Sequence, residues 1–206
     1  MIALLGATGF IGSAVLTELL ASGHEVRALA RNPSEFVAPE HLTVIAGDAR
    51  DRAVLDTLLE GVDAVISAIG TPRGAKSEPG YLADAMTAVI DAMARHQVRR
   101  IVAISGAGIN VPGEPKPFPH GLASAIVGVL ARSAVQAKQR EFEVLRGSDA
   151  EWTAVRPTRI VPGQATGKVK VDREIGMQIT VGDVAQFMVA QLGDPTYVRR
   201  APIISG

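Results

Sequence analysis

Apolar residues follow two rhythms along this chain. Short, nearly continuous runs occur at Ile2–Leu5, Glu25–Ala30, Thr43–Ala46, Ala64–Ser67, Arg100–Ile104 and Thr153–Arg156. Runs of that kind predict strands covered on both faces, as in a parallel sheet. Between them, helical spacing spans Ile11–Ser22, Arg52–Leu59, Tyr81–His96 and roughly Gly121–Arg146. Strand-then-helix repetition predicts a doubly wound α/β fold with right-handed crossovers. In the tail, "TVGDVAQFMVAQL" offers Thr180 as an N-cap with Asp183 three residues on, and Val184, Phe187, Met188 and Gln191 at helical spacing. "RRAPIISG" reads as a last short strand. No repeat or linker divides residues 1–206, which read as a single domain.

One segment breaks this rhythm. "GAGINVPGEPKPFPHG", Gly106–Gly121, carries prolines at 112, 115, 117 and 119. That density excludes a helix or central strand and predicts an extended loop after the fifth strand.

The N-terminal strand runs straight into "GATGFIG", with Gly6, Gly9 and Gly12 spaced G-x-x-G-x-x-G before an amphipathic helix. Gly6 permits the tight turn, Gly9 lets backbone amides approach a pyrophosphate, and Gly12 lets helix and strand pack closely. Backbone N–H groups at the helix start then supply an anion site. The alternative is a βα turn with incidental glycines, but strand before and helix after favour dinucleotide binding.

Composition narrows the rest. The 206 residues carry no net charge, 47% hydrophobic and 20% charged residues, and no cysteine. Zero net charge gives no electrostatic case for nucleic acid or an anionic membrane. The lack of cysteine excludes disulfides and thiolate metal sites and fits a reducing cytosol. No run reaches the roughly 18 apolar residues of a membrane span, and a βα turn stands where a signal peptide would be cleaved. His24, His41 and His96 are scattered and show no metal-ligand spacing. A cytoplasmic domain without metal is expected.

Cofactor choice is readable after the second strand. NAD-preferring sites place an acid there for the ribose 2′-OH, whereas this chain has Ala30 followed by Arg31. An arginine fork suits a 2′-phosphate, so NADP(H) is favoured over NAD(H), the alternative being a solvated loop charge. Ser67, Ala68, Ile69 and Gly70 follow the fourth strand, and such small residues would let a ribose lie close to backbone.

"GATGFIG", "VIAGDARD", "VISAIG", "IVAISGAG", "AKQREFEVLRGSDAEWTAVRP" and "TVGDVAQFMVAQL" together resemble the extended and atypical short-chain dehydrogenase/reductase superfamily. Within it, the chain is most similar to small NAD(P)H-binding proteins such as biliverdin-IXβ reductase/flavin-reductase-like enzymes and nitrogen-metabolite-repression-type redox sensors. The resemblance implies a Rossmann-like NAD(P)-binding domain of strand order 3-2-1-4-5-6 plus the short C-terminal strand. It also implies that Ala7, Thr8, Phe10 and Ile11 join the three glycines in the cofactor turn, and that Asp48 with Ala49 contacts the adenine. Asp48 or Asp51 could instead cap the following helix. By the same resemblance Ser105 stands at the superfamily's catalytic serine, Pro157 packs against the nicotinamide, and Lys138 binds its ribose. Relatives often pair the helices Tyr81–His96 and Gly121–Arg146 in homodimers while smaller ones are monomers, so both states stay open.

The departure from the family is at residue 134, an alanine where the tyrosine of Tyr-x-x-x-Lys belongs. Neither Tyr81 nor Tyr197 has a lysine four positions on. Without a phenol relay, alcohol–ketone interconversion and sugar-nucleotide epimerisation are disfavoured. Two readings remain. One is a reductase of a conjugated small-molecule acceptor such as a flavin, quinone or tetrapyrrole, with Ser105 and Lys138 as catalytic candidates and Gly106, Phe118 and His120 walling the acceptor side. The other is a non-catalytic NADP(H)-binding redox sensor. His120 also has a plain reading as polar surface.

Overall fold

The computed structural model describes residues 1–33, 39–70, 80–114 and 125–206, of which 125–132 by backbone only. Five core strands fall where apolar runs predicted them: β1 (Ile2–Leu5), β2 (Val26–Ala30), β3 (Leu42–Ala46), β4 (Ala64–Ser67) and β5 (Arg100–Ile104). The sixth, β6 (Glu151–Pro157), extends beyond the predicted Thr153–Arg156 at both ends. Three short strands had no signature in the sequence: β7 (Arg159–Val161), β8 (Lys170–Val171) and β9 (Gln178–Thr180). The last, β10 (Ile203–Ser205), is the short C-terminal strand.

The main sheet has the order β3-β2-β1-β4-β5-β6-β10-β8, and β7 pairs with β9 separately. Every pairing from β3 to β10 is parallel, while β8 runs antiparallel at the edge. This is the Rossmann-like order 3-2-1-4-5-6 with short additions at the C-terminal side.

Helices cover both faces. On one lie α2 (Arg52–Leu59), α3 (Tyr81–Arg95) and α4 (Ala125–Gly147), over a core that includes Leu5, Val65, Ile101, Phe142 and Trp152. Phe142 of α4 meets Trp152 of β6 edge-on, with ring centroids 5.7 Å apart. On the other face lie α1 (Phe10–Ala21) and α5 (Val181–Ala190), over Leu4, Leu19, Ile66, Val102 and Met188. Successive strand residues serve opposite faces, so both must be apolar.

The caps explain the element boundaries. Asp51 accepts from Ala53 N and Val54 N and is therefore the α2 cap, which leaves Asp48 for another role. Arg27 of β2 donates to the carbonyls of Thr57, Leu58 and Glu60 at the other end of α2. Thr180 accepts from Asp183 N as predicted. The Asp183 carboxylate reaches further, accepting from Thr166 N, Thr166 Oγ1, Gly167 N and Thr180 Oγ1. Burial alone would raise that carboxyl, but these bonds hold it below its ordinary value. No described helix is long and apolar enough to cross a membrane.

Candidate cofactor and acceptor site

A cleft of about 580 Å³ opens at the carboxyl ends of β1, β2 and β4, the crevice where open α/β sheets bind ligands. Its floor is the glycine turn. Gly6 adopts φ +81°, and a Cβ there would lie 2.6 Å from Ala68 O. A Cβ on Gly12 would collide with the Gly6 carbonyl. Gly9 differs, because its added Cβ would meet only Gly6 O, at 3.2 Å. Two glycines are thus required by the protein's own packing, while the third leaves the exposed cleft side bare.

Gly9 is also the N-cap of α1 and offers no side-chain acceptor, and the first turn holds no acid. The first-turn N–H groups have no intrahelical partner and are left to an anion. Thr8, Phe10, Ile11, Ala49, Ala68, Ile69 and Gly70 line the same cleft, whereas Ala7 and Gly12 are buried beneath it.

Arg31 lines the cleft beyond β2. Asp48 is not a helix cap; its Oδ1 accepts from Arg50 N at 2.9 Å and Arg50 Nε at 3.0 Å. Burial would raise the Asp48 carboxyl, yet the Arg50 bonds and charge, with the charge of Arg31, hold it below the usual carboxylate value. The Arg50 guanidinium lies 4.7 Å from the centre of the Tyr81 ring, and Tyr81 lines the cleft. Neither Arg50 nor Tyr81 was flagged as a site residue from sequence. They are 31 positions apart, and only the α3 start brings them together.

Toward β5 and β6 the chemistry changes. The hydroxyls of Ser67, Ser105 and Thr158 are buried and have no hydrogen-bond partner among the described residues. They stand at the carboxyl ends of β4, β5 and β6. Buried hydroxyls are ordinarily satisfied, and a polar ligand at these adjacent strand ends would satisfy all three. Thr158 was not anticipated from sequence. Pro157 is buried at the end of β6, opposite Ile204.

Lys138 comes off α4 into this region. Its Nζ donates to Ile69 O at 2.7 Å and Ile104 O at 3.0 Å, and pairs with Glu141 Oε2 at 2.7 Å. An ammonium has three N–H donors, and these contacts take all of them. Glu141 is almost wholly buried, and burial pushes its carboxyl above the ordinary range while the Lys138 charge and bond offset only part. Position 134 is exposed. Tyr197 lies far from Lys138 in the fold: its ring packs on Phe187 of α5, and its carbonyl accepts from Thr153 near the start of β6.

Gly106 follows β5 and its carbonyl accepts from Ile109 N. The described part of the loop, 106–114, contains turns but no strand or helix, and Phe118 and His120 lie outside the described residues. Among the described residues no three His, Asp or Glu side chains cluster as a metal site.

A family model described as NAD(P)H-binding matches residues 6–195. The chain belongs to that family. It is 31% identical over 219 residues to the (4-alkanoyl-5-oxo-2,5-dihydrofuran-3-yl)methyl phosphate reductase of Streptomyces griseus, covering 100% of this chain and 68% of that protein. Its fold matches a short-chain dehydrogenase/reductase of Veillonella parvula solved with NADP, with TM-score 0.76, 22% identity and coverage of 100% and 94%. It also matches the anaerobilin reductase ChuY of Escherichia coli O157:H7, with TM-score 0.80, 22% identity and coverage of 99% and 95%. The uncapped helix start, the bare Gly9 and the orphaned hydroxyls fit the dinucleotide that this family binds.

Proposed function

We propose that the protein is an NADPH-dependent reductase of a conjugated acceptor, working without a side-chain phenol. The observation that carries this reading is the state of Lys138. All three of its N–H groups are committed, and the residue four positions before it is the exposed Ala134 rather than a tyrosine. A tyrosine-lysine relay therefore has neither its acid nor a free ammonium. The names of a relative and of a structural neighbour, a furanone phosphate reductase and an anaerobilin reductase, support reduction.

Gly6, Gly9, Gly12 and the α1 start would hold the pyrophosphate, Arg31 the 2′-phosphate, and Asp48 with Ala49 the adenine. When bound, the reduced nicotinamide supplies two electrons and one hydrogen nucleus to the acceptor. The protein's part is then positioning. Lys138 fixes the ends of β4 and β5 through the Ile69 and Ile104 carbonyls, and Ser105 and Thr158 offer hydroxyls to a carboxamide or an acceptor carbonyl. A flavin, quinone or linear tetrapyrrole spreads incoming charge over its ring system, so water can deliver the remaining proton.

The test is NADPH oxidation with FMN, a simple quinone and a simple ketone as acceptors. Turnover with the conjugated acceptors and none with the ketone is expected. Turnover with the ketone alone would overturn the reading. Tight NADPH binding without any turnover would make the protein a cofactor sensor.

A further inference from the structure

Beside this edge lies a charged pair that the reading above leaves unused. Arg156 of β6 has a side chain only 2% exposed, and its Nε donates to Ala201 O at 2.6 Å. Its NH2 donates to both carboxylate oxygens of Glu114, each at 2.7 Å. Glu114 is 41% exposed and comes from the loop after β5. The cation is thus built into a strand and bracketed by backbone, whereas its anion sits on a loop open to water.

Register places this cation at the reactive edge. Ile104 lies opposite Val155, and Ser105 N donates to Val155 O at 2.7 Å, so Ser105 lies opposite Arg156. Alternation puts Ser105 and Arg156 on the face that carries Ala103, Ala154 and α4. A buried guanidinium must keep an anion beside it, because an uncompensated buried charge is severely unfavourable. It need not keep the same anion. The loop segment has a second anchor, with Asn110 N donating to Gln139 Oε1 of α4 at 2.7 Å, so Glu114 can be displaced without releasing the segment.

We propose that Arg156 binds an anionic substituent of the acceptor, a phosphate or carboxylate, and that Glu114 holds this place until the acceptor arrives. The inference rests on the reductase reading and names the substrate class for the same site. Arginine suits the task because its planar fork meets carboxylate and phosphate oxygens in pairs.

FMN and riboflavin form a matched probe pair, sharing the ring system and differing by one phosphate. Their binding to NADP+-saturated protein is read by flavin fluorescence, with the cofactor cleft filled and no turnover possible. FMN should bind about tenfold tighter than riboflavin, as expected for one charge-assisted contact. Glu114→Gln, an exposed loop change, should widen that preference several-fold by removing the competing carboxylate, and Arg156→Gln should shrink it to within about twofold. Equal affinities in the unaltered protein, or a preference that survives Arg156→Gln, would overturn the proposal.

Should neither flavin bind, the melting temperature of the NADP+-loaded protein in inorganic phosphate, against chloride at equal ionic strength, decides. Stabilisation by phosphate that Arg156→Gln removes upholds the anion site, and its absence overturns it. These binding readouts stand apart from turnover, so loss of the reductase reading is distinguishable from loss of this one.

Discussion

Replacing Lys138 with methionine removes the ammonium that ties α4 to the ends of β4 and β5, and its size can be worked from the three bonds. Two carbonyls, Ile69 O and Ile104 O, lose charged donors at 2.7 and 3.0 Å. The larger effect falls on Glu141, whose side chain is 5% exposed and would lose the cation that offsets its burial. Breaking a buried pair from one side costs about 3–5 kcal/mol, a large share of the roughly 5–15 kcal/mol that holds a domain folded.

Glu141→Gln acts differently. The raised Glu141 carboxyl means that the fold already tolerates the neutral form better than the ionised one. An uncharged amide should therefore cost no more than about 1 kcal/mol, one ordinary hydrogen bond. The double variant Lys138→Met/Glu141→Gln should recover most of what Lys138→Met loses. The pH dependence has a definite sign. A carboxyl whose folded pKa lies above its unfolded one binds more protons in the folded state, so its contribution is present at low pH and lost as pH rises through the folded value. The deficit of Lys138→Met should accordingly grow with pH. Urea denaturation of the three variants near pH 6 and pH 8, at constant m-value, measures all of this. Equal losses for the two single variants, or a double variant as unstable as Lys138→Met, would refute the reasoning.

Further outcomes follow from other parts of the site. Arg31→Ala should weaken NADPH by at least about tenfold, one charge-assisted bond or more, and leave NADH within about twofold, as read by cofactor titration; an equal loss for both would remove the 2′-phosphate assignment. Gly9→Ala should cost far less stability than Gly12→Ala, since its Cβ meets only Gly6 O at 3.2 Å, yet bind cofactor more weakly. Gly12→Ala should fail in thermal melts before binding is reached, because its Cβ strikes the Gly6 carbonyl. Asp183→Asn should cost about 1–3 kcal/mol through lost bonds to a buried acceptor. Asp183's depressed carboxyl contributes stability above its unfolded value that is lost as pH falls through the acid range, so the gap between this variant and the parent should narrow on acidification.

The parallel strands were legible because strands covered on both faces leave unbroken apolar runs, and the helices because apolar residues recur between them at helical spacing, with Thr180 announcing the last. By contrast β7, β8 and β9 are two or three residues long, with exposed and intermediate positions mixed in, too short for any period to register. The glycine turn was readable as a motif, but only the backbone shows that Gly6 and Gly12 serve packing while Gly9 faces the cleft. Lys138 was legible as the family's lysine or as one charge among several on a long helix, but nothing local reveals that Glu141, three residues on, is buried against it. Arg156 and Glu114 are 42 residues apart, and their pairing depends on where a loop returns across the sheet. Long-range charge pairs of this kind leave no trace in residue order.

The most direct test is a single turnover. Protein loaded with NADPH is mixed anaerobically with FMN or a quinone, and the reduced nicotinamide absorbance is followed between about pH 6 and 9. The account predicts loss of that band, one NADPH per acceptor reduced, at a rate with little pH dependence because no titrating side chain donates the proton. An unchanged band with cofactor bound would contradict the account and leave a protein that holds NADPH without using it.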